Sequence, residues 1–399
     1  KLIPTAKAMI KNGLKPVQPW DEKGFKLPGG KIWSPQGAQL WPAASAILRR
    51  ETQGNYPAAA AILKCVFEGL QVPFETGLKI EQRYFTHILQ TPQARAMIRS
   101  LFISLQELNK GARRPEGIKP VKLKKVGVVG AGFMGAGIAY VTAKAGIPVV
   151  LIDKDMDAAN KGKAHSEGIV QKGVQRGKTT KEAGEKLLSL ITPSSDYADL
   201  SDANLVIEAV FEDREVKKTV TEAIEAHIKP SAIFASNTST LPITGLAKNS
   251  KRPKNFIGIH FFSPVDKMML TEIILGRKTS DKALAVALDY VAAIKKTPIV
   301  VNDTRGFFVN RCVLRYMNES YNMLIEGVPP AMIENSARMA GMPVGPLSLN
   351  DEVAIDLSLK IIRAAIADMG EKAVDPRHLE LVERMVQQAE SEGVERIHG

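Results

Sequence analysis

Val126-Gly127-Val128-Val129-Gly130-Ala131-Gly132-Phe133-Met134-Gly135-Ala136-Gly137-Ile138-Ala139 opens a stretch that runs on to Val149-Val150-Leu151-Ile152-Asp153. An apolar β-type run comes first, then a glycine turn, a helical segment over Ile138 to Ala145, and a second apolar run that ends on an acid. That order is a βαβ unit whose first turn has the spacing Gly-x-Gly-x-x-Gly, a dinucleotide site when strand and helix flank it in this way. The alternative is a tight turn with no nucleotide. Gly130 permits the turn, Gly132 lets the backbone approach a pyrophosphate, and Gly135 lets helix pack on strand, with the phosphates at the helix N-terminus. Asp153, 18 residues after Gly135, can accept from a ribose 2′-hydroxyl and would repel a 2′-phosphate, which favours NAD over NADP.

Strands and helices alternate from this unit onward: Leu205 to Ala209, Ala232 to Ala235, Phe256 to Ile259, Leu270 to Leu275 and Pro298 to Val301 read as further strands. The pattern predicts an α/β fold with a Rossmann-type, doubly wound, mostly parallel sheet over residues 121–302. After Asn302 the periodicity is helical. Phe308 to Glu326, Pro330 to Ala340 and Asp351 to Met369 are each closed by a glycine, so 303–399 reads as an all-α domain. Residues 1–118 form an N-terminal segment, irregular over 1–55 apart from a short helical possibility at Ala43 to Arg50. Two helices come after it, Pro57 to Gly69 and Thr91 to Gly111, and Gly111 to Pro120 reads as a basic linker. The stripe Ile98, Leu101, Phe102, Leu105 and Leu108 has helical spacing and predicts a packed face, covered by the rest of the chain or by another copy.

The chain has 399 residues, 45% of them hydrophobic, and suits two or three domains with room for a sizeable core. No apolar run approaches the roughly 18 residues of a membrane span. No signal-peptide pattern is visible, and a start at Lys1 suggests a processed chain or a fragment. Cys65 and Cys312 imply no disulfide framework, so a reducing compartment fits. Of the +12 net charge, +9 lies within residues 1–118. A basic surface of this kind could meet an anionic partner or simply be solvated, and no motif for nucleic acid accompanies it.

Other residues stand where chemistry is expected. Ser236-Asn237-Thr238-Ser239 comes directly after the Ala232 strand, at the carboxyl end where α/β sheets bind ligands, though Ser, Thr and Asn also cap turns there. His260 ends the next strand and Glu272 lies on the one after; a turn over Pro264 to Met269 would bring carboxylate to imidazole. Such a pair can move the proton of a hydroxyl and carbonyl couple, the acid fixing the tautomer. Asn310, at the start of the helix after the sheet, can donate to a substrate oxygen or serve its own helix start. Glu212 and Lys217, after the Leu205 strand, could address a cofactor ribose and a neighbouring charge, or form a solvated face. Lys161, Lys163, Lys172, Arg176 and Lys178 could meet substrate phosphates or stay solvated. No Cys/His cluster suggests a metal.

Together these pieces resemble the L-3-hydroxyacyl-CoA dehydrogenase family, specifically the dehydrogenase part of the multifunctional fatty-acid β-oxidation enzymes. The likeness runs from Val121 to about Glu380. It rests on Gly130-Ala-Gly-Phe-Met-Gly135, Ile207-Glu-Ala-Val-Phe-Glu212, Phe234-Ala-Ser-Asn-Thr-Ser-Thr-Leu-Pro-Ile243, Gly258-Ile-His-Phe-Phe-Ser-Pro-Val-Asp-Lys-Met268, Gly306-Phe-Phe-Val-Asn-Arg311 and Pro343-Val-Gly-Pro346. The resemblance implies oxidation of an L-3-hydroxyacyl-CoA by NAD, with His260 as base, Glu272 as its partner, and Ser239 and Asn310 as substrate contacts. It implies Gly130, Gly132, Met134, Gly135, Asp153, Val210, Glu212, Lys217, Ser239 and Ser263 around the cofactor, and Ser166 and Lys172 near CoA. It further implies a thiolase subunit or self-association in a β-oxidation complex, and a cytoplasmic site if the source is bacterial, otherwise mitochondrial or peroxisomal.

Three departures accompany the resemblance. Ser263 stands where many relatives have Asn; Ala389 to Gly399 differs from the family's closing segment; and no hydratase core precedes Lys1, so 1–118 reads as the remnant that joins to one. Two other functions remain open from the residues. A 3-hydroxyisobutyrate-type dehydrogenase would need a lysine in the helical domain, and none lies between Lys296 and Lys360. A non-catalytic NAD-binding assembly module is the other.

Overall fold

An eight-stranded sheet in the order β3-β2-β1-β4-β5-β6-β7-β8 carries the dinucleotide turn at its centre. The strands are β1 (Val126–Val129), β2 (Val149–Ile152), β3 (Ile191–Ser194), β4 (Leu205–Glu208), β5 (Ile233–Ser236), β6 (Phe256–Phe261), β7 (Leu270–Leu275) and β8 (Thr297–Asn302). The structure is a computed structural model that describes residues Leu2–Ser391. All neighbours pair in parallel except β6 and β7, which run antiparallel with His260 opposite Glu272. Strand order reverses between β2 and β4, on either side of β1, and the crevice at the carboxyl ends of such strands is where α/β sheets take ligands.

Successive side chains on the central strands face opposite layers. Val126, Val128, Leu151, Ile207, Ala235 and Ile259 enter one core, and Val129, Val150, Ile152, Val206 and Phe234 the other. Both faces are covered, which is why these strands read as continuous apolar runs rather than as alternation. β3 has no strand signal in the sequence because Ile191-Thr-Pro193-Ser has a proline in it. The strand lies at the edge of the sheet, where a missing N–H costs little.

Two compact units divide the described chain. One is Ser100–Glu319, which holds the sheet; the other gathers the residues before Ser100 and after Glu319. This grouping differs from the linear division at 118 and 303. The segment before Ser100 shares a unit with the C-terminal helices, and Asn55 Nδ2 donates to Arg338 O at 3.2 Å. Within that unit Tyr321, Leu359 and Val382 form a small core, and the Tyr321 hydroxyl donates to Asn350 Oδ1 at 2.7 Å. The last eight residues of the expected departure at Ala389 to Gly399 lie outside the described residues.

The N-terminal 55 residues are more ordered than their composition suggests. Helices span Leu2–Lys11 and Pro35–Thr52, and Phe74–Leu89 is a third that periodicity did not single out. Pro35 is not a breaker here: it occupies the first turn, Ser34 caps Gly37 N, and Gln53 stops the helix with a positive φ of 50°. Trp33 and Trp41 pack edge-on against Phe67 at 6.1 and 5.1 Å, so the aromatic content anchors the segment to the helix Pro57–Gly69.

The expected stripe is divided. Pro92–Met97 is α-helical, Ile98–Ile103 forms a π turn, and Ser104–Asn109 is α-helical again. A π turn inserts a residue and rotates the turns after it, so the apolar positions no longer share one face. Leu101 and Phe102 are 59% and 61% exposed, against the expectation of a covered face, whereas Leu105 and Leu108 are half-buried.

Two glycines of the dinucleotide turn differ in the surroundings a side chain would meet. A Cβ at Gly135 would lie 1.7 Å from Gly130 O, while one at Gly132 would meet nothing within 4 Å. Gly135→Ala is therefore expected to destabilise the unliganded protein by about 1–3 kcal/mol, the usual cost of overpacking. Gly132→Ala should leave the thermal midpoint unchanged and weaken only dinucleotide binding. Thermal unfolding of both variants checks this, and equal midpoints would refute it.

Candidate active site

The dinucleotide end of the site is made mostly of backbone. Gly130 has a φ of +97°, and a Cβ there would fall 2.6 Å from Ala209 O, so glycine is required on both counts. Gly132 is the N-cap of the helix Phe133–Lys144, with no side chain capping it and no acid in the first turn. The first N–H groups of that helix are thus left for an anion. Asp153 Oδ2 accepts from Ala131 N at 2.6 Å and Oδ1 from Lys154 N at 2.7 Å, which holds the carboxylate beside the turn with acceptor capacity left over. Met134 is half-buried and Val210 flanks Gly130 across the turn. A dinucleotide fits these residues: the close-approach glycine is open, the helix end is uncapped, and the acid stands at the strand end.

The other end of the site is a buried pair of imidazole and carboxylate. His260 Nδ1 lies 2.7 Å from Glu272 Oε2, because antiparallel pairing of β6 and β7 sets the two residues opposite each other. Glu272 is fully buried and His260 is 5% exposed. The other oxygen of the acid, Oε1, accepts from Phe308 N at 3.0 Å and Val309 N at 2.9 Å, at the start of the helix Val309–Ile325. Burial would push the Glu272 carboxyl up. The bonds from His260 and Val309 N, the imidazole charge and Phe308 N outweigh burial and hold the carboxyl below the usual range. His260 is flanked by the rings of Phe262 at 4.5 Å and Phe307 at 5.9 Å, and its Nε2 has no hydrogen-bond partner among the described residues.

Asn310, one residue into that helix, donates from Nδ2 to Ser239 O at 2.9 Å. Ser239 is in turn held by Glu212, whose Oε1 accepts from Thr238 Oγ1 at 2.7 Å, from Ser239 N and Thr240 N at 2.9 Å, and from the Ser239 hydroxyl at 3.2 Å. Burial raises the Glu212 carboxyl, but Lys217 and these donors prevail and keep it below its ordinary value. One chain of hydrogen bonds therefore joins His260, Glu272, the first turn carrying Asn310, Ser239 and Glu212.

Lys217 lies buried in the wall of the crevice, where its ammonium donates to Val210 O at 3.3 Å. Its side chain is 2% exposed, and its ammonium lies 2.7 Å from Glu208 Oε1 and 3.4 Å from Glu212 Oε2. Two carboxylates draw it inward. Glu208 is buried too, and accepts from Ser236 Oγ at 2.8 Å and Val210 N at 2.9 Å, so Lys217 acts on the ligand crevice through Glu212 and the end of β4.

Ser166 corrects the expectation of a CoA contact. On the helix Met156–Gln175 it shares the buried face with Ala159, Gly162 and Val170, and its hydroxyl is fully enclosed with no partner. Lys172 lies on the exposed face of the same helix. Ser263, also exposed, comes just after β6 and begins the turn that returns as β7. Sequence reasoning missed Glu208, Lys296 and Asp303. Asp303 accepts from Ile243 N at 2.6 Å and Thr244 N at 2.7 Å, fixing the segment after Ser239. A charged residue inside an apolar strand, as in Leu205-Val-Ile-Glu208, was the available signal for the first of these.

The description of the 3-hydroxyacyl-CoA dehydrogenase NAD-binding domain matches residues 125–304, and that of the 3-hydroxyacyl-CoA dehydrogenase C-terminal domain matches 306–395. The crystal structure of (S)-3-hydroxybutyryl-CoA dehydrogenase from Ralstonia eutropha is similar at 34% identity, covering 67% of this chain and 95% of that one, with a TM-score of 0.63. The 3-hydroxybutyryl-CoA dehydrogenase of Escherichia coli K12 is similar at 33% identity, covering 62% of this chain and 53% of that one, with a TM-score of 0.60. The fatty acid oxidation complex subunit alpha of Idiomarina loihiensis is 40% identical over 342 residues, 86% of this chain and 48% of that protein. The chain spans about half the length of the curated relatives it matches. Two family domains in succession, and a solved relative whose length it almost wholly spans, place this chain in the 3-hydroxyacyl-CoA dehydrogenase family, with that family's NAD-binding domain.

Proposed function

We propose that the chain oxidises an L-3-hydroxyacyl-CoA to the 3-oxoacyl-CoA, reversibly and with NAD, in fatty-acid β-oxidation. The observation that carries this reading is the buried His260 and Glu272 pair, 2.7 Å apart, on strands of the sheet whose central turn suits a dinucleotide. NAD held at the glycine turn by Gly130, Gly132 and Asp153 would supply the hydride acceptor. Glu272 accepts a hydrogen bond from Nδ1–H of His260, which leaves Nε2 unprotonated as the base for the C3 hydroxyl, and the carboxylate stabilises the imidazolium that forms. The second N–H of the Asn310 amide and the oxygen of Ser239, whose own proton points to Glu212, are the polar groups for the substrate oxygen. Lys172 and the neighbouring cations of its helix suit the phosphates of CoA. Relatives named as the alpha subunit of a fatty acid oxidation complex support work within such a complex, and a thiolase subunit or a second copy is the partner this reading proposes.

Reduction of acetoacetyl-CoA, monitored by loss of NADH absorbance, tests the reading; absence of turnover by the folded protein would end it. NADH should give the higher kcat/KM, since the Asp153 carboxylate repels a 2′-phosphate, and equal or better use of NADPH would contradict that assignment. His260→Gln should lower kcat at least about 100-fold, the usual worth of a positioned base. A near-native rate would remove His260 from the chemistry.

The pair also governs a pH effect. Glu272 is held below the usual carboxylate range by His260 and the amides of Val309 and Phe308, so it contributes stability that is present above its unfolded pKa and is lost as the pH falls through its folded one. Glu272→Gln should therefore flatten the acid limb of the stability profile; thermal midpoints of both proteins measured on the acid side of neutrality check this, and an acid limb as steep as that of the wild type would refute it.

A further inference from the structure

Lys296 is a buried cation outside the hydrogen-bond chain of the site. It precedes β8 and is 7% exposed, and its ammonium donates to Val265 O at 2.6 Å and to Met268 O. Both carbonyls belong to the connection from Pro264 to Met269 that joins β6 to β7. The same connection is closed by Lys267 N and Met268 N on Pro264 O at 3.0 and 2.9 Å, and its end is tied to β8 by Thr297 N on Met269 O at 2.8 Å. His260 lies before this connection and Glu272 after it, so the place of the connection bears on how the two side chains meet. Its Val265 is also packed on the dinucleotide helix: a Cβ at Gly137 would sit 2.8 Å from Val265 Cβ.

A buried ammonium is costly unless its protons are satisfied. Here two carbonyls of one short turn do that, so moving the turn away from Lys296 would leave a buried charge unpaired. Asp266 in the same connection and Lys144 at the end of the dinucleotide helix are the charged groups that act on it, with opposite signs.

We propose that Lys296 is a positioning residue for the hydride-transfer reaction, fastening the Pro264–Met269 connection so that Glu272 meets His260 squarely and Ser263 stays beside the cofactor site. The inference rests on the dehydrogenase function proposed for the site. Lysine is suited to the task because a compact, three-donor head can satisfy two carbonyls from a long apolar stem.

The test compares Lys296→Met, which keeps the stem and loses the donors, with Lys296→Arg, which keeps both. With acetoacetyl-CoA and NADH, Lys296→Met should lower kcat about tenfold and leave KM for acetoacetyl-CoA within about threefold of wild type, and Lys296→Arg should recover most of the rate. The His260 ring is observed in parallel by ¹⁵N NMR at one fixed pH, assigned with His260→Gln; its Nδ1 and Nε2 resonances should shift in Lys296→Met and return in Lys296→Arg, because the contact of Nδ1 with Glu272 has changed. That second measurement needs no turnover, so an inactive wild-type protein would defeat the dehydrogenase reading while the NMR comparison still decides on Lys296. A folded Lys296→Met protein with native kcat and unshifted His260 resonances would overturn the proposal. So would failure of both Lys296→Met and Lys296→Gln to fold, since a lysine needed by the whole fold has no particular role in the site.

Discussion

Glu272 is a carboxylate with no exposed surface, and the arrangement of the site is governed by the need to compensate it. An unpaired buried charge costs several kcal/mol even after relaxation, so its acceptor directions have to be filled. Imidazole takes one oxygen and two amides of a helix start take the other, where the helix dipole adds to the effect. Satisfying one acid therefore fixes three things together: the pairing of β6 with β7, the tautomer of His260, and the entry of the helix that bears Asn310. Phe307 shows how tightly that entry is held. It is a non-glycine residue with a φ of +51°, 2% exposed, its ring 5.9 Å from the imidazole, and such a conformation persists where surrounding contacts over-determine it.

A second buried charge group lies nearer the dinucleotide turn and works by the same rule with the signs exchanged. Lys217 is enclosed between Glu208 and Glu212, so three ionised groups satisfy one another and leave a single partly exposed acid, Glu212, aimed at the Thr238–Thr240 backbone. Replacing one member would leave an uncompensated charge, which is more damaging than never having had the pair. The side chain is thereby held in the wall of the crevice and given indirect control over Ser239. Its position in the sequence, in the first turn of the helix that follows β4 in a nucleotide fold, suits this role or a solvated face, and only the burial distinguishes them.

The features legible in the sequence divide from the rest along physical lines. The central strands, the glycine turn, Asp153 and the opposition of His260 to Glu272 could be read because their signals are local: apolar runs of strand length, glycines at fixed spacing, and a short connection that forces a reversal. β3 was not legible because Pro193 argues against a strand except at an edge, and edge position is a property of the whole sheet. The helices before Asn55 were hidden by prolines that in fact occupy first turns, as at Pro35, or are tolerated inside, as at Pro42. The burial of Ser166 and Lys217 was not legible either. Ser166 was placed near CoA through the resemblance alone, yet it falls in register with Ala159, Gly162 and Val170, and Lys217, whose helix face could equally have been solvated, has two acids to meet inside.

The two ends of the site also differ in what could substitute for them. At the dinucleotide turn the recognising groups are main-chain N–H donors, so the side chains there matter chiefly by being absent, and glycine spacing alone carries the information. At the end that holds His260 and Glu272 the polar groups are side chains on β6, β7, the loop after β5 and the helix after β8, and no fixed spacing links them because the lengths of the intervening turns are free to vary. Their relation is fixed instead by hydrogen bonds, and by the ion pair of Lys217 with Glu212, that run from Glu208 through Lys217, Glu212, Ser239 and Asn310 to the helix start on which Glu272 rests, and thence to His260. Buried polar groups in such a chain constrain one another strongly, since displacing any one leaves its neighbour unsatisfied in a low-dielectric interior. Precision at this end therefore comes from mutual satisfaction of buried charge, and at the other from the removal of side chains.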